Sequence, residues 1–272
     1  MKPSIHRILV FSCAVLMLYS GFRLGKIWME YHKAQSRYQE LNACLRFDSP
    51  SDSQKEENEN SPNRTPDTGS FLDDRFLSSE VPDIIPAVSF EALEAINPDI
   101  AAWILVPETR LSYPVVQGKD NEYYLNHLFS GEINGSGCPF FDFRTSPDFT
   151  DFHMIIYGHH MKNGTMFAAL ENYKDQDFYE KNPAFWLLTP EAAWKLEIFS
   201  AYVADEQDNA WKLDFSGEQE REAWLQAVTE KSLISCRIAP ETEDQVVTLS
   251  TCTYDFENAR LVVHGILKGE IR

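Results

Sequence analysis

The chain has 272 residues, 43% hydrophobic and 13% aromatic, which is ample for one sizeable core plus extensions. A net charge of −18 excludes a nucleic-acid partner, because a phosphate backbone requires a basic footprint. Five cysteines (Cys13, Cys44, Cys138, Cys236 and Cys252), an odd number without a CxxC pair, argue against a disulfide framework and leave at least one thiol free.

The charge is unevenly placed. Residues 1–47 carry seven Lys/Arg against two Asp/Glu, whereas the remainder carries 17 against 40. A basic, apolar start joined to an acidic body suits a protein tethered to a membrane and solvated away from it. Ile8–Phe22 is almost wholly apolar, and extension to residues 5–28 gives the length of a bilayer-spanning helix, with Arg23 and Lys26 snorkelling and Trp28 at the interface. No small-x-small cleavage site follows, so an uncleaved signal anchor is expected after a short N-terminus, residues 1–4, with a juxtamembrane segment over 29–47. Basic residues flank both sides of the span, so charge alone leaves its orientation open.

Residues 48–82 are expected to form a disordered acidic linker. From 48 to 70 no aliphatic or aromatic side chain occurs, so there is too little apolar surface to offset the entropy of ordering. The folded domain then runs over 83–272. Phe90–Ile96, Asn121–Phe129 and Glu218–Leu233 read as short helices, the last with Trp224, Leu225, Val228 and Leu233 near helical spacing. Ala101–Val106, Ser112–Val116, Cys138–Phe143, Phe152–Tyr157, Ala184–Leu188, Trp194–Tyr202, Val246–Thr251 and Arg260–Leu267 read as strands. Many short strands with inserted helices and no regular βαβ alternation predict a mainly β fold, a barrel or sandwich with accessory helices.

Chemistry concentrates at strand ends. The period-2 rule puts Val246, Thr248, Ser250 and Cys252 on one face of their strand, and Arg260, Val262, His264 and Ile266 on one face of theirs. If these two strands form a hairpin closed by Thr253–Ala259, Cys252 and Arg260 meet at its mouth. A second strand ends in Tyr157-Gly158-His159-His160. A thiol can hold an acyl group as a thioester, an imidazole can move protons at neutral pH, and a guanidinium can donate to an oxyanion without being titrated away.

Each residue has a plainer role beside this one. A Cys at a strand end is usually core, a lone Arg is usually a surface charge, and His153 and His264 read as structural. Cys138 and Cys236 read as small buried hydrophobes. A zinc site from His159, His160 and Cys252 is disfavoured, because adjacent residues of an extended chain project apart. A papain-like arrangement would place its Cys early and its His downstream, the reverse of the order here, and a serine hydrolase would need GxSxG.

The segments Thr248-Leu249-Ser250-Thr251-Cys252 with Arg260, Tyr157–Phe167, Tyr113–Asn121 and Ser200-Ala201-Tyr202 together resemble the class B sortases, over about residues 88–268. The resemblance implies an eight-stranded β-barrel with N-terminal helices and a helix inserted before the Cys-bearing strand, where Glu218–Leu233 lies. It implies a membrane-anchored transpeptidase with its N-terminus inside and its catalytic domain extracytoplasmic. Cys252 would be the nucleophile, His159 the general acid/base, and Arg260 the stabiliser of the oxyanion or substrate carbonyl. Asn121, Leu125, Ser250 and, less closely matched, Trp211 would line the substrate groove. The expected substrates are surface proteins with a C-terminal sorting signal of the Asn/Ser/Pro-Pro-x-Thr-x kind. The acceptor would be an amine of peptidoglycan or, alternatively, a pilin lysine. No cofactor or metal is expected. A non-catalytic, membrane-tethered binding module on the same fold is the alternative from another class.

Overall fold

The structure, a computed structural model, describes residues 3–46, 85–146 and 148–271. The expected linker over 48–82 therefore lies outside the described residues. The chain begins with one continuous helix, α1 (Pro3–Leu41), which a 3-10 turn at Asn42–Cys44 ends by handing the chain to extended backbone at Leu45. Strand β1 (Leu45–Arg46) then pairs antiparallel with β2 (Ala87–Val88).

The two halves of α1 differ in their surroundings. From Phe11 to Trp28 its apolar side chains are exposed, Phe11 by 72% and Leu18 by 75%. Beyond that, Ala34, Tyr38 and Leu41, at spacings of four and three, are buried against the body. Residues 29–41, within the stretch expected to be a juxtamembrane segment, are thus the docked end of this helix. Among the described residues, no helix is long and apolar enough to cross a membrane.

The body is a closed barrel of eight strands: β3 (Ile100–Leu105), β4 (Ser112–Val116), β5 (Phe140–Phe141), β6 (His153–Tyr157), β7 (Ala184–Leu188), β8 (Ala193–Ala204), β9 (Val246–Cys252) and β10 (Arg260–Ile271). Around the barrel the order is β10-β8-β7-β3-β4-β5-β6-β9, and β9 pairs back onto β10. Neighbours are antiparallel except β4 with β5 and β6 with β9. All eight strands read from the sequence are present, with ends shifted by a few residues.

Alternation along β9 and β10 divides two cores. Val247, Leu249, Leu261 and Val263 point into the barrel with Ile104 and Phe185. Val246, Val262 and Ile266 point outward, where helix α4 (Glu218–Glu230) covers them with Trp224, Leu225 and Val228. Leu233 falls past the end of α4 and is exposed, because the chain leaves the helix to hydrogen-bond Leu233 N–H to the Ala201 carbonyl. The other helices are α2 (Phe90–Glu94) and α3 (Gln176–Lys181), the latter preceded by a 3-10 segment, Phe167–Lys174.

The helix expected over Asn121–Phe129 is only a 3-10 turn, Tyr123–Leu125. The Asp120 carboxylate takes the N–H groups of Glu122 and Tyr123, and the chain then turns back so that Asn134 N–H reaches the Asn126 carbonyl. Local polar side chains thereby satisfy the backbone that a helix would otherwise use.

His153 and His264 are buried between the barrel and α4, joined through one hydroxyl. Thr248 Oγ1 lies 2.6 Å from His153 Nε2 and 2.7 Å from His264 Nδ1. His153 Nδ1 lies 2.6 Å from the Lys212 carbonyl, which can only accept, so Nδ1 carries the proton. Burial lowers the pKa of both rings, that of His153 to about 4. Each ring protonates more readily once unfolded, so its contribution is complete above the ordinary histidine value and is lost as pH falls through the folded value. Stability should therefore fall by roughly 3 kcal/mol from His153 alone as pH drops from about 6.5 to 4. Thermal melts at stepped pH would show this as a declining midpoint, and a midpoint unchanged between pH 7 and 5 would contradict it.

Candidate active site

Strand pairing assembles the site. Cys252 and Arg260 are direct partners across β9 and β10. The next pair outward, Thr253 and Ala259, is hydrogen-bonded (3.1 Å), so Cys252 and Arg260 form a non-hydrogen-bonded pair, the kind in which Cα atoms stand about 4.5 Å apart and side chains are closest. The hairpin expected from spacing is the one observed.

The imidazole arrives by parallel pairing. Tyr157 at the end of β6 is opposite Ser250 of β9, and Gly158 N–H donates to the Ser250 carbonyl at 3.1 Å. Two residues further along each chain are His159 and Cys252, so a 93-residue separation in sequence becomes adjacency across one strand pair. Gly158 is required here, since a Cβ would come within 2.6 Å of the Phe167 ring.

An open groove of about 370 Å³ is lined by Asn121, Leu125, His159, Trp211, Ser250, Cys252 and Arg260, with Phe140, Tyr157, Gly158, Glu206 and Thr251 completing its wall. It contains every site residue expected from the sequence. Cys252 is exposed. Among the described residues no carboxylate forms an ion pair with Arg260, and its one hydrogen bond is to the adjacent Ala259 carbonyl at 3.2 Å, so most of its donors remain available. His159 Nε2 lies 2.6 Å from the Leu125 carbonyl. His160 turns elsewhere, with Nδ1 3.0 Å from the carbonyl of Cys252 itself.

The remaining groove residues are tied into the fold. Asn121 Nδ2 donates to Asp142 (3.0 Å) and Asn121 Oδ1 accepts from Phe143 N–H (3.0 Å), so both polar ends of that side chain are engaged internally. Asp142 is buried, which by itself would raise its pKa. Hydrogen bonds from Arg144 and Tyr157 outweigh burial and hold it below the ordinary carboxylate value. Trp211 Nε1 donates to Ser250 Oγ at 3.0 Å, fastening the β8–α4 connection to the Cys-bearing strand. Ser250→Ala would leave that indole N–H unpaired and free the wall to move. It should lower kcat/KM about 3- to 10-fold, chiefly through KM, in peptide-cleavage kinetics. An unchanged KM would show that the bond does not shape the groove.

Acidic residues between Cys252 and Arg260 would oppose thiolate formation if left free, but Asp255 is paired with Lys174, whose hydrogen bond lowers the Asp255 pKa. Lys174 also bonds Glu171 at 2.5 Å, and Thr253 Oγ1 lies 3.1 Å from Glu171, so the hairpin connection is clamped to the segment before α3. Cys138 is buried, with its thiol pKa pushed up to about 12 by desolvation, and burial likewise raises Cys236. Sequence reasoning missed Glu206, Phe140 and the His160 bond to Cys252. Nothing in residue spacing signals them, because each reaches the site only through the folded chain.

An exposed thiol, an imidazole and an available guanidinium along one groove of a closed barrel define an acyl-transfer enzyme with a cysteine nucleophile. A family model described as a sortase domain matches residues 104–268. Sortase B of Staphylococcus aureus (strain NCTC 8325 / PS 47) is 39% identical over 176 residues, which is 64% of this chain and 72% of that protein. The solved S. aureus sortase B-substrate complex aligns with a TM-score of 0.63 at 38% identity, covering 66% of this chain and 84% of that one. Sortase B of Bacillus anthracis aligns with a TM-score of 0.67 at 30% identity, covering 88% and 98%. The chain belongs to the sortase family of cysteine transpeptidases. Within that family its similarity is to sortase B.

Proposed function

We propose that this protein is a membrane-anchored transpeptidase that cleaves a C-terminal sorting signal after Thr and joins the Thr to an amine of peptidoglycan. The observation that carries the reading is the single groove holding Cys252, His159 and Arg260 beside Asn121, Leu125, Trp211 and Ser250. Cys252 Sγ, as thiolate, adds to the Thr carbonyl, and Arg260 donates to the resulting oxyanion. The C–N bond breaks as His159 gives its proton to the departing amine, leaving a thioester on Cys252. An incoming amine then adds to the thioester carbonyl, His159 takes its proton, and the C–S bond breaks to release the new amide. A sortase B has been solved in complex with triglycine, a peptide with a free amine, which supports an amine acceptor here.

Anchoring is supported by the exposed apolar side chains of α1 between Phe11 and Trp28, which would be costly to leave in water. The proposed span is residues 5–28, with residues 1–4 inside and the barrel outside.

The test uses the full chain in detergent with a quenched peptide library carrying Pro-x-Thr-x variants, with and without a diamino acid nucleophile. Cleavage after Thr, with the amine-ligated product seen by mass spectrometry, supports the reading and identifies the motif. A folded protein that cleaves no peptide and whose Cys252 alkylates no faster than the other thiols would favour a binding module instead.

A further inference from the structure

The docked half of α1 reaches the catalytic imidazole. Tyr38, 7% exposed, donates its hydroxyl to the Gly137 carbonyl at 2.6 Å, across 99 residues of sequence. Gly137 has φ +60 and is packed so tightly that an added Cβ would meet the Tyr124 carbonyl at 2.5 Å, the Leu125 carbonyl at 2.9 Å and His159 Cδ2 at 3.1 Å. Only glycine fits, on both conformational and steric grounds. The Leu125 carbonyl against which Gly137 is packed is the one 2.6 Å from His159 Nε2, and the next residue, Cys138, donates its N–H to the adjoining Tyr124 carbonyl at 3.0 Å. A carbonyl only accepts, so Nε2 carries the proton, and in the neutral ring the lone pair sits on Nδ1.

A second route runs to the backbone after His159. The Tyr38 ring stands edge-on to Tyr113, with centroids 5.2 Å apart at 88°. Tyr113 OH accepts from Met166 N–H at 3.0 Å, and Met166 itself has φ 57. The next residue, Phe167, donates its N–H to the His159 carbonyl at 2.9 Å. The loop carrying Gly137 is also held by α1 directly. Lys33 and Arg37 pair with Glu132 at 2.5 and 2.9 Å, and Asn134 Nδ2 donates to the Glu30 carbonyl at 3.0 Å.

We infer that α1 is a positioning element for the active site, and that Tyr38, acting through Gly137 and the Leu125 carbonyl, sets the orientation and tautomer of His159. Tyr38 touches no reacting atom; it is a positioning residue. The inference rests on the reading of His159 as the acid/base. Its consequence is that turnover depends on the Tyr38 hydroxyl reaching Gly137 from the docked helix, so loss of that one contact lowers turnover without unfolding the protein.

The test compares the full chain in detergent with Tyr38→Phe, which removes one hydroxyl, and Leu41→Ala, which removes buried apolar contact from the same helix. Kinetics are read well below either melting temperature, and the His159 ring by 15N NMR. Tyr38→Phe should lower kcat about tenfold with KM within about twofold, and should lose the single Nε2–H tautomer signature. Leu41→Ala should cost at least as much in melting temperature and leave kcat and the ring signature as in wild type. A Tyr38→Phe protein with wild-type kcat and an unchanged His159 spectrum overturns the inference. So does an equal loss of kcat in Leu41→Ala. If wild type turns over no peptide, the functional reading fails, yet the His159 spectra of the variants still decide whether Tyr38 orients the ring.

Discussion

Cys252→Ala is expected to reduce transpeptidation by at least about 10³-fold while leaving the melting temperature almost unchanged. The side chain is exposed at the end of β9 and contributes nothing to either core, so its removal is a surface substitution, worth about 0.5 kcal/mol or less in stability. Among the described residues, Cys252 is the one cysteine that lines the groove. Cys138 is buried and its proton is held to about 12, so it offers negligible thiolate at neutral pH. Cys13 is exposed but lies on α1 in the segment proposed to enter the membrane. The measurement is cleavage of the peptide identified by the library, with mass spectrometry for the acyl-enzyme in wild type. Cleavage by the variant within tenfold of wild type would remove Cys252 from the mechanism.

Arg260→Ala should lower kcat about 10²- to 10³-fold, the cost of removing one preorganised oxyanion donor. The pairing of Arg260 with Cys252 puts its donors beside the thiol, and no carboxylate among the described residues forms an ion pair with it. Arg260→Lys should recover little, because an ammonium is a point charge and lacks the planar fork. The loss should be equal across the working pH range, since a guanidinium does not titrate there, so the pH–rate profile should keep its shape and fall in height. A profile displaced along the pH axis would show that Arg260 acts by shifting the ionisation of Cys252 or His159. Full rescue by lysine would show that charge alone suffices.

The hairpin carrying these two residues was legible without the fold because it is local. Alternation along Val246–Cys252 and Arg260–Ile266, with seven residues between, leaves one register that buries both apolar faces, and that register is the one observed. The eight strands were legible for the same reason: each carries its own apolar pattern. Local pattern failed over Asn121–Phe129, where apolar spacing suggested a helix but Asp120 and the turn at Asn134 took the backbone hydrogen bonds. Local pattern does not say whether residues 29–41, with Lys33 and Arg37 against Glu30 and Glu40, lie free beside a membrane or dock on the barrel.

The sequence by itself determined the mainly β class, the strands, the Cys–Arg juxtaposition and the resemblance that assigned roles to His159, Asn121, Leu125, Ser250 and Trp211. The tertiary structure decided that His159 stands beside Cys252, through a parallel pairing that no short-range pattern encodes. It also decided that Asn121 has both polar ends occupied by Asp142 and Phe143, that Trp211 is fastened to Ser250, and that Tyr38 reaches Gly137. Periodicity reports which face of an element is buried, because burial repeats with the element's own geometry. Which partner covers that face, and which polar atoms find each other across long stretches of sequence, depends on closure of the barrel and on the energetic cost of leaving any of those buried groups unpaired.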